Sequence, residues 1–185
     1  SAEFADVPDF AAATFTNTTF DADLPLPAEI TAGISYQATE KWLFAFDYNH
    51  TEWSVYESLD VDFANTVPTS VNPRNYKDAS SYRFGAQYKA TEKFTLRAGW
   101  YFDESPVRDG YFAPETPRND SNGYTGGLTY QVNSKLGIDL SFLYLHFDEV
   151  DNSYNHFQEA GTPVPFGGTY KSSVFAPGIG VTYGF

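Results

Sequence analysis

Few residues of this 185-residue chain could do chemistry, and most reaction classes fall away at once. There is no Cys, which excludes disulfides, thiolate metal sites and a cysteine nucleophile. The three histidines, His50, His146 and His156, lack metal-ligand spacing. No nucleophile elbow, phosphate loop or dinucleotide fingerprint is present. No catalytic residue, metal or cofactor is expected, and the chain reads as a non-enzyme. What remains is a set of charged and amide side chains, each standing alone among aromatic and aliphatic neighbours: Asp47, Asn49, Arg83, Gln87, Lys89, Arg97 and Asp139. Strict alternation would put them on one side of an extended chain and the apolar residues on the other. A net charge of -13 repels nucleic acid, which is not expected as a partner.

Strands must position those charges. Apolar residues recur with period two through Ile30, Ala32, Ile34 and Tyr36, then Trp42, Phe44, Phe46 and Tyr48, then Tyr82, Phe84, Ala86 and Tyr88. The pattern continues through Phe94, Leu96, Ala98, Trp100 and Phe102, through Tyr124 to Val132, through Ile138 to Tyr144, and through Phe175 to Phe185. This predicts about seven strands, most of roughly ten residues, the length that crosses an outer membrane at a tilt. Aromatic residues make up 18% of the chain, as suits strands with a lipid boundary. The connections alternate in length. Short turns fall at 39–41, 91–93 and 133–135, inside the near-repeats "YQATEKW", "YKATEKF" and "YQVNSKL". Long links run through about 56–79, 103–121 and 148–169 and hold much of the Pro, Asn, Asp and Glu. That rhythm is the one expected of an outer-membrane barrel, with tight periplasmic turns and long outer loops; a soluble antiparallel meander is the alternative. In the barrel reading Trp42 and Phe94 mark the periplasmic boundary, and Trp53, Tyr101 and Tyr144 the outer one. The closing "GIGVTYGF" puts Gly180, Tyr183 and Phe185 in a pattern resembling the C-terminal strand signal by which barrels are recognised for assembly, making the barrel assembly machinery an expected partner. There is no Met, so processing or truncation is expected to have set the first residue.

Three stretches carry a family resemblance: "LPLPAEITAGISY" over 24–36, Trp53 and Ser54 closing a strand, and "FDESPV" over 102–107. From about 21 to 185 the chain resembles the FadL/TodX/OmpP1 family of outer-membrane transporters. The resemblance implies an all-β, antiparallel transmembrane β-barrel. The chain would supply about seven C-terminal strands of a FadL-like fourteen-stranded barrel, without the N-terminal hatch or first strands. Residues 1–27 would be an extracellular loop segment and 28–185 the strands. A missing N-terminal half is an expected partner, because an open sheet cannot be left in hydrocarbon. Residues 12–20 could instead add an eighth strand and close a small structural or adhesive barrel that binds partners through its acidic loops. The resemblance further implies passive uptake of long-chain fatty acids or other hydrophobic molecules in the bacterial outer membrane, beside lipid and lipopolysaccharide. The acyl head group would be bound by basic lumenal residues, with Lys77 in "YKDASSYR", Arg83 and Arg97 the candidates for substrate binding. The alternative for the charges is a structural network of Asp47, Arg83, Arg97 and Asp139.

Overall fold

The three near-repeats close one and the same turn. In the first, the N–H groups of Ala38 and Thr39 both donate to the Trp42 carbonyl, at 3.0 and 3.4 Å. The Thr39 Oγ1 accepts from the N–H of Lys41 at 3.2 Å and of Trp42 at 3.0 Å. The second copy repeats this with Ala90 and Thr91 donating to the Phe94 carbonyl, and Thr91 Oγ1 accepting from Lys93 and Phe94, both at 3.1 Å. In the third, Asn133 Oδ1 takes the place of the hydroxyl, accepting from Lys135 at 2.9 Å and Leu136 at 3.0 Å. Thr and Asn share the property the turn needs, a short side-chain acceptor for two otherwise free amides.

The computed structural model describes residues 2–3, 19–64, 68–113, 118–159 and 162–184. Seven long strands dominate it: β1 (Glu29–Gln37), β2 (Trp42–Thr51), β3 (Ala79–Lys89), β4 (Phe94–Asp103), β5 (Ser121–Gln131), β6 (Leu136–Tyr154) and β7 (Phe166–Tyr183). Each pairs antiparallel with the next, giving one meander with β1 and β7 at its edges. The register keeps parity across the sheet except at one shift between β6 and β7, at Tyr170/Ser172. Ile34, Phe46, Phe84, Trp100, Tyr124, Tyr144 and Phe175 form one continuous row across all seven strands. Among the described residues nothing covers that apolar face: Ile34 is 70% exposed, Phe175 65% and Ile179 78%. So large an apolar surface is a hazard in water and an ordinary solvated face in lipid.

The buried core lies elsewhere. Among the described residues, Tyr56, Tyr76, Ala79, Pro106, Phe112, Ala113 and Tyr154 are buried, and all but Ala79 and Tyr154 belong to the links after β2 and β4. Carboxylates at the strand ends tie these links down. Asp78 accepts from the Ser54 N–H at 2.9 Å, Glu104 from Ser80 at 2.9 Å, and Asp120 from Ser105 at 2.7 Å. The Ser54 backbone N–H, with its hydroxyl, holds the Asp78 carboxyl below the usual carboxylate range.

Several expectations need correction. Tyr101 is not on the apolar face: it stands in register with Arg83 and Gly123 on the polar one. Trp53 lies beyond β2, in a single 3-10 turn (Trp53–Val55), its ring against Tyr56 and Tyr76 at 6.5 and 6.2 Å. It therefore belongs to the loop core. Trp42, Phe94 and Tyr144 do lie on the apolar face. The link at 148–169 is largely strand, because β6 and β7 run on as a long hairpin of 19 and 18 residues. The hairpin is supported by Phe112, whose N–H donates to the Ser153 carbonyl at 3.0 Å and whose ring lies 4.5 Å from that of Tyr170. Of the suggested eighth strand at 12–20, residues 12–18 lie outside the described residues. Thr19 and Phe20 join a short strand (Thr19–Ala22) paired with Val61–Phe63, outside the main sheet. Gly180 and Tyr183 lie in β7, and Phe185 is outside the described residues.

Two outcomes follow for stability. Thr91→Ala removes the acceptor for two turn amides and should cost about 1–2 kcal/mol in urea unfolding of the folded protein, while Thr91→Asn should be close to neutral. At Gly123 a Cβ would overlap the Tyr101 ring outright. Gly123→Ala should therefore cost roughly 1–3 kcal/mol, recovered in part by adding Tyr101→Ala; an unchanged unfolding midpoint for Gly123→Ala would contradict this packing.

Candidate functional site

Period two sorts the polar face into rows that run across the sheet. The row nearest the outer strand ends carries Asn49, Ser81 and Asp103, and Ser81 is buried there with Ala79 and Ser121. One step inward, Asp47 stands opposite Arg83, and Arg83 opposite Tyr101. The next row is bare: Ala45, Gly85 and Gly99. The row after that brings Gln87 opposite Arg97, with Gly127 beyond. Two charged rows separated by a bare one are thus roughly 13 Å apart at a strand rise of about 3.3 Å per residue. Over them lies a trough of about 700 Å³, into which Asp47, Arg83, Gln87, Arg97, Tyr101 and Asp139 all contribute surface.

The two arginines differ in what they already hold. Arg97 is engaged: its Nε donates to Gln87 Oε1 at 2.9 Å and its Nη1 to Thr129 Oγ1 at 2.6 Å. The Thr129 hydroxyl donates in turn to Asp139 Oδ1. Charge is thereby balanced through a hydroxyl bridge, and the guanidinium is fixed in one place. Among the described residues, no hydrogen bond or ion pair reaches the Arg83 guanidinium, although Asp47 stands directly across from it. Half of the charge network considered for Asp47, Arg83, Arg97 and Asp139 is therefore present, on the Arg97 side. The Arg83 guanidinium thus keeps its donors beside an apolar floor.

Lys77 is not brought to this trough. It precedes β3, its N–H donates to the Pro106 carbonyl at 2.9 Å, and it lines a separate cavity of about 280 Å³ with Arg118, Asp120, Asp148 and Glu149. Of the three expected contacts, Arg83 and Arg97 share the trough and Lys77 does not. Tyr101, Thr129 and the bare row were missed as site features. Parity alone could have found Tyr101, since it alternates with Trp100 and Phe102 and shares its side with Arg97 and Gly99.

A family model described as outer membrane protein transport protein (OMPP1/FadL/TodX) matches residues 5–185. Outer membrane protein P1 of Haemophilus influenzae Rd is 31% identical over 142 residues, covering 77% of this chain and 30% of that protein. The long-chain fatty acid transport protein of Escherichia coli K12 is 25% identical over 118 residues, covering 64% of this chain and 26% of its own length. Among solved structures, a Pseudomonas aeruginosa FadL homologue superposes with a TM-score of 0.77 at 23% identity, over 89% of this chain and 37% of that one. The Pseudomonas putida toluene transporter TodX gives 0.60 at 20% identity, over 90% and 37%. The chain thus spans about a third or less of the curated relatives' length, and its sheet corresponds to part of their barrel. With a seven-stranded antiparallel meander and one lipid-compatible face, the chain belongs to the OMPP1/FadL/TodX family of bacterial outer-membrane proteins.

Proposed function

We propose that the polar face forms part of the wall of a passive conduit for hydrophobic molecules, and that long-chain fatty acids are among its passengers. The apolar face meets lipid, and further strands pair with β1 and β7 to close the wall, since unpaired edges are prohibitively costly in hydrocarbon. The single observation that carries the substrate reading is the unpaired Arg83 guanidinium beside the bare row of Ala45, Gly85 and Gly99.

The physical logic is one of compensation. A carboxylate leaving water for a partly dry passage loses hydration worth several kcal/mol per ion. A guanidinium without a partner of its own can replace that hydration bidentately. The hydrocarbon tail needs only a smooth apolar surface, and each methylene removed from water contributes about 0.8 kcal/mol. A row without side chains supplies the surface and leaves room for the tail. Binding must also be weak enough for release, and one arginine open to the trough satisfies that better than a closed ring of cations. Arg97, already committed to Gln87 and Thr129, serves the wall rather than the passenger. The names of the relatives, a long-chain fatty acid transport protein and a toluene transporter, support a hydrophobic passenger in general.

The test is uptake of labelled oleate into liposomes containing the complete protein. Uptake above that of empty liposomes is expected, and none would sink the conduit reading. Arg83→Gln should weaken oleate binding roughly 10- to 100-fold, in line with a charge-assisted hydrogen bond of about 1.5–3 kcal/mol. Binding of an uncharged chain of the same length should stay within about twofold.

A further inference from the structure

The Asp47 carboxylate has two unlike neighbours across the sheet. It stands on the polar face of β2 between two register neighbours, Gly33 in β1 and Arg83 in β3. Side chains opposite one another in an antiparallel pair start about 5 Å apart, close enough for a carboxylate to meet a guanidinium. Yet no ion pair forms between Asp47 and Arg83. The carboxylate lies over the other neighbour instead: a Cβ built on Gly33 would overlap Asp47 Oδ1 outright and would sit 3.4 Å from Asp47 Cγ.

We propose that Gly33 is a positioning residue that keeps the Asp47 carboxylate off Arg83 and so leaves the guanidinium free for an anionic passenger. The proposal rests on the reading of Arg83 as the anion contact. Gly33 does not have the positive φ that would demand glycine for backbone reasons. Nor is its backbone environment crowded, since the nearest backbone atom to the built Cβ is the Phe46 carbonyl oxygen at 3.6 Å. What needs the missing side chain is the carboxylate itself. An alanine at 33 meets only the far end of a flexible side chain, so the response is a turn of Asp47 rather than a break in the sheet.

The direction of that turn follows from its neighbours. Along β2 the same face carries Ala45, which offers no polar group, and Asn49, whose Nδ2 already donates to Thr31 Oγ1 at 2.8 Å. Across the strand stands the unpaired guanidinium of Arg83. Displaced from Gly33, the carboxylate moves to that cation and pairs with it. The internal pair then competes with any carboxylate arriving from outside, at the high effective concentration of a tethered group.

Four variants of the complete protein in detergent, Gly33→Ala, Asp47→Asn, the two combined, and Arg83→Gln, are compared for binding of oleate and of oleyl alcohol. Gly33→Ala should weaken oleate about tenfold, the effect of losing one charge-assisted contact, and leave oleyl alcohol unchanged. Adding Asp47→Asn should restore oleate binding to within about twofold of the parent, because the amide no longer neutralises Arg83. Equal weakening of both ligands by Gly33→Ala, or no rescue by Asp47→Asn, would assign the glycine to packing and overturn the proposal. If Arg83→Gln weakens oleate and Gly33→Ala does not, the positioning role alone fails. If Arg83→Gln has no effect on oleate, the anion site itself fails, and the role of Gly33 with it.

Discussion

Every backbone N–H and C=O inside a bilayer must find a partner within the protein, because hydrocarbon offers none. The seven-stranded meander is a solution to that constraint, and the remaining features follow from it. Continuous antiparallel pairing fixes the register, register fixes parity, and up to the shift at Tyr170/Ser172 parity assigns the side chains of β1 to β7 to one of two solvents. The same constraint explains why the periplasmic-type turns are so alike. Amides at a hairpin end are the last ones without a ladder partner, and a Thr or Asn acceptor satisfies two of them at each turn.

With the sheet solvated on one face and trough-forming on the other, no core is available between layers. The chain instead buries its apolar residues where water is the solvent, in the links after β2 and β4 and at the outer hairpin of β6 and β7. The polar face can then be loosely filled. A bare row between two charged rows would be a packing defect in a soluble sandwich, which must fill its interior to crystal-like density. On the proposed reading as a conduit wall, it is the space left for a passenger.

Much of this was legible in the residues, for reasons that can be named. The repeats at 36–42, 88–94 and 130–136 announced the turns because turn chemistry is local. Alternation announced the strands for the same reason, and it also placed Tyr101 on the same face as Arg97, although its aromatic character suggested a membrane boundary. What could not be read was any choice made across strands. Whether Arg83 or Arg97 is free depends on Gln87, Thr129 and Asp139, which come from three different strands. The extension of β6 and β7 depends on Phe112, more than 30 residues before their outer ends, and Pro and Asn nearby made the segment look like a loop. Lys77 looked close to Arg83 in sequence, but the end of β3 separates a trough residue from a loop residue.

The central claim is the assignment of the two faces, and the 185 residues contain no Cys to confuse a labelling experiment. Single cysteines at each position from 94 to 103 of β4, in the complete protein free of other cysteines and embedded in outer membrane, can be challenged with a membrane-impermeant maleimide. The account predicts reaction at 95, 97, 99 and 101, and protection at 94, 96, 98 and 100. Labelling without period two, or strongest at the even positions, would contradict it.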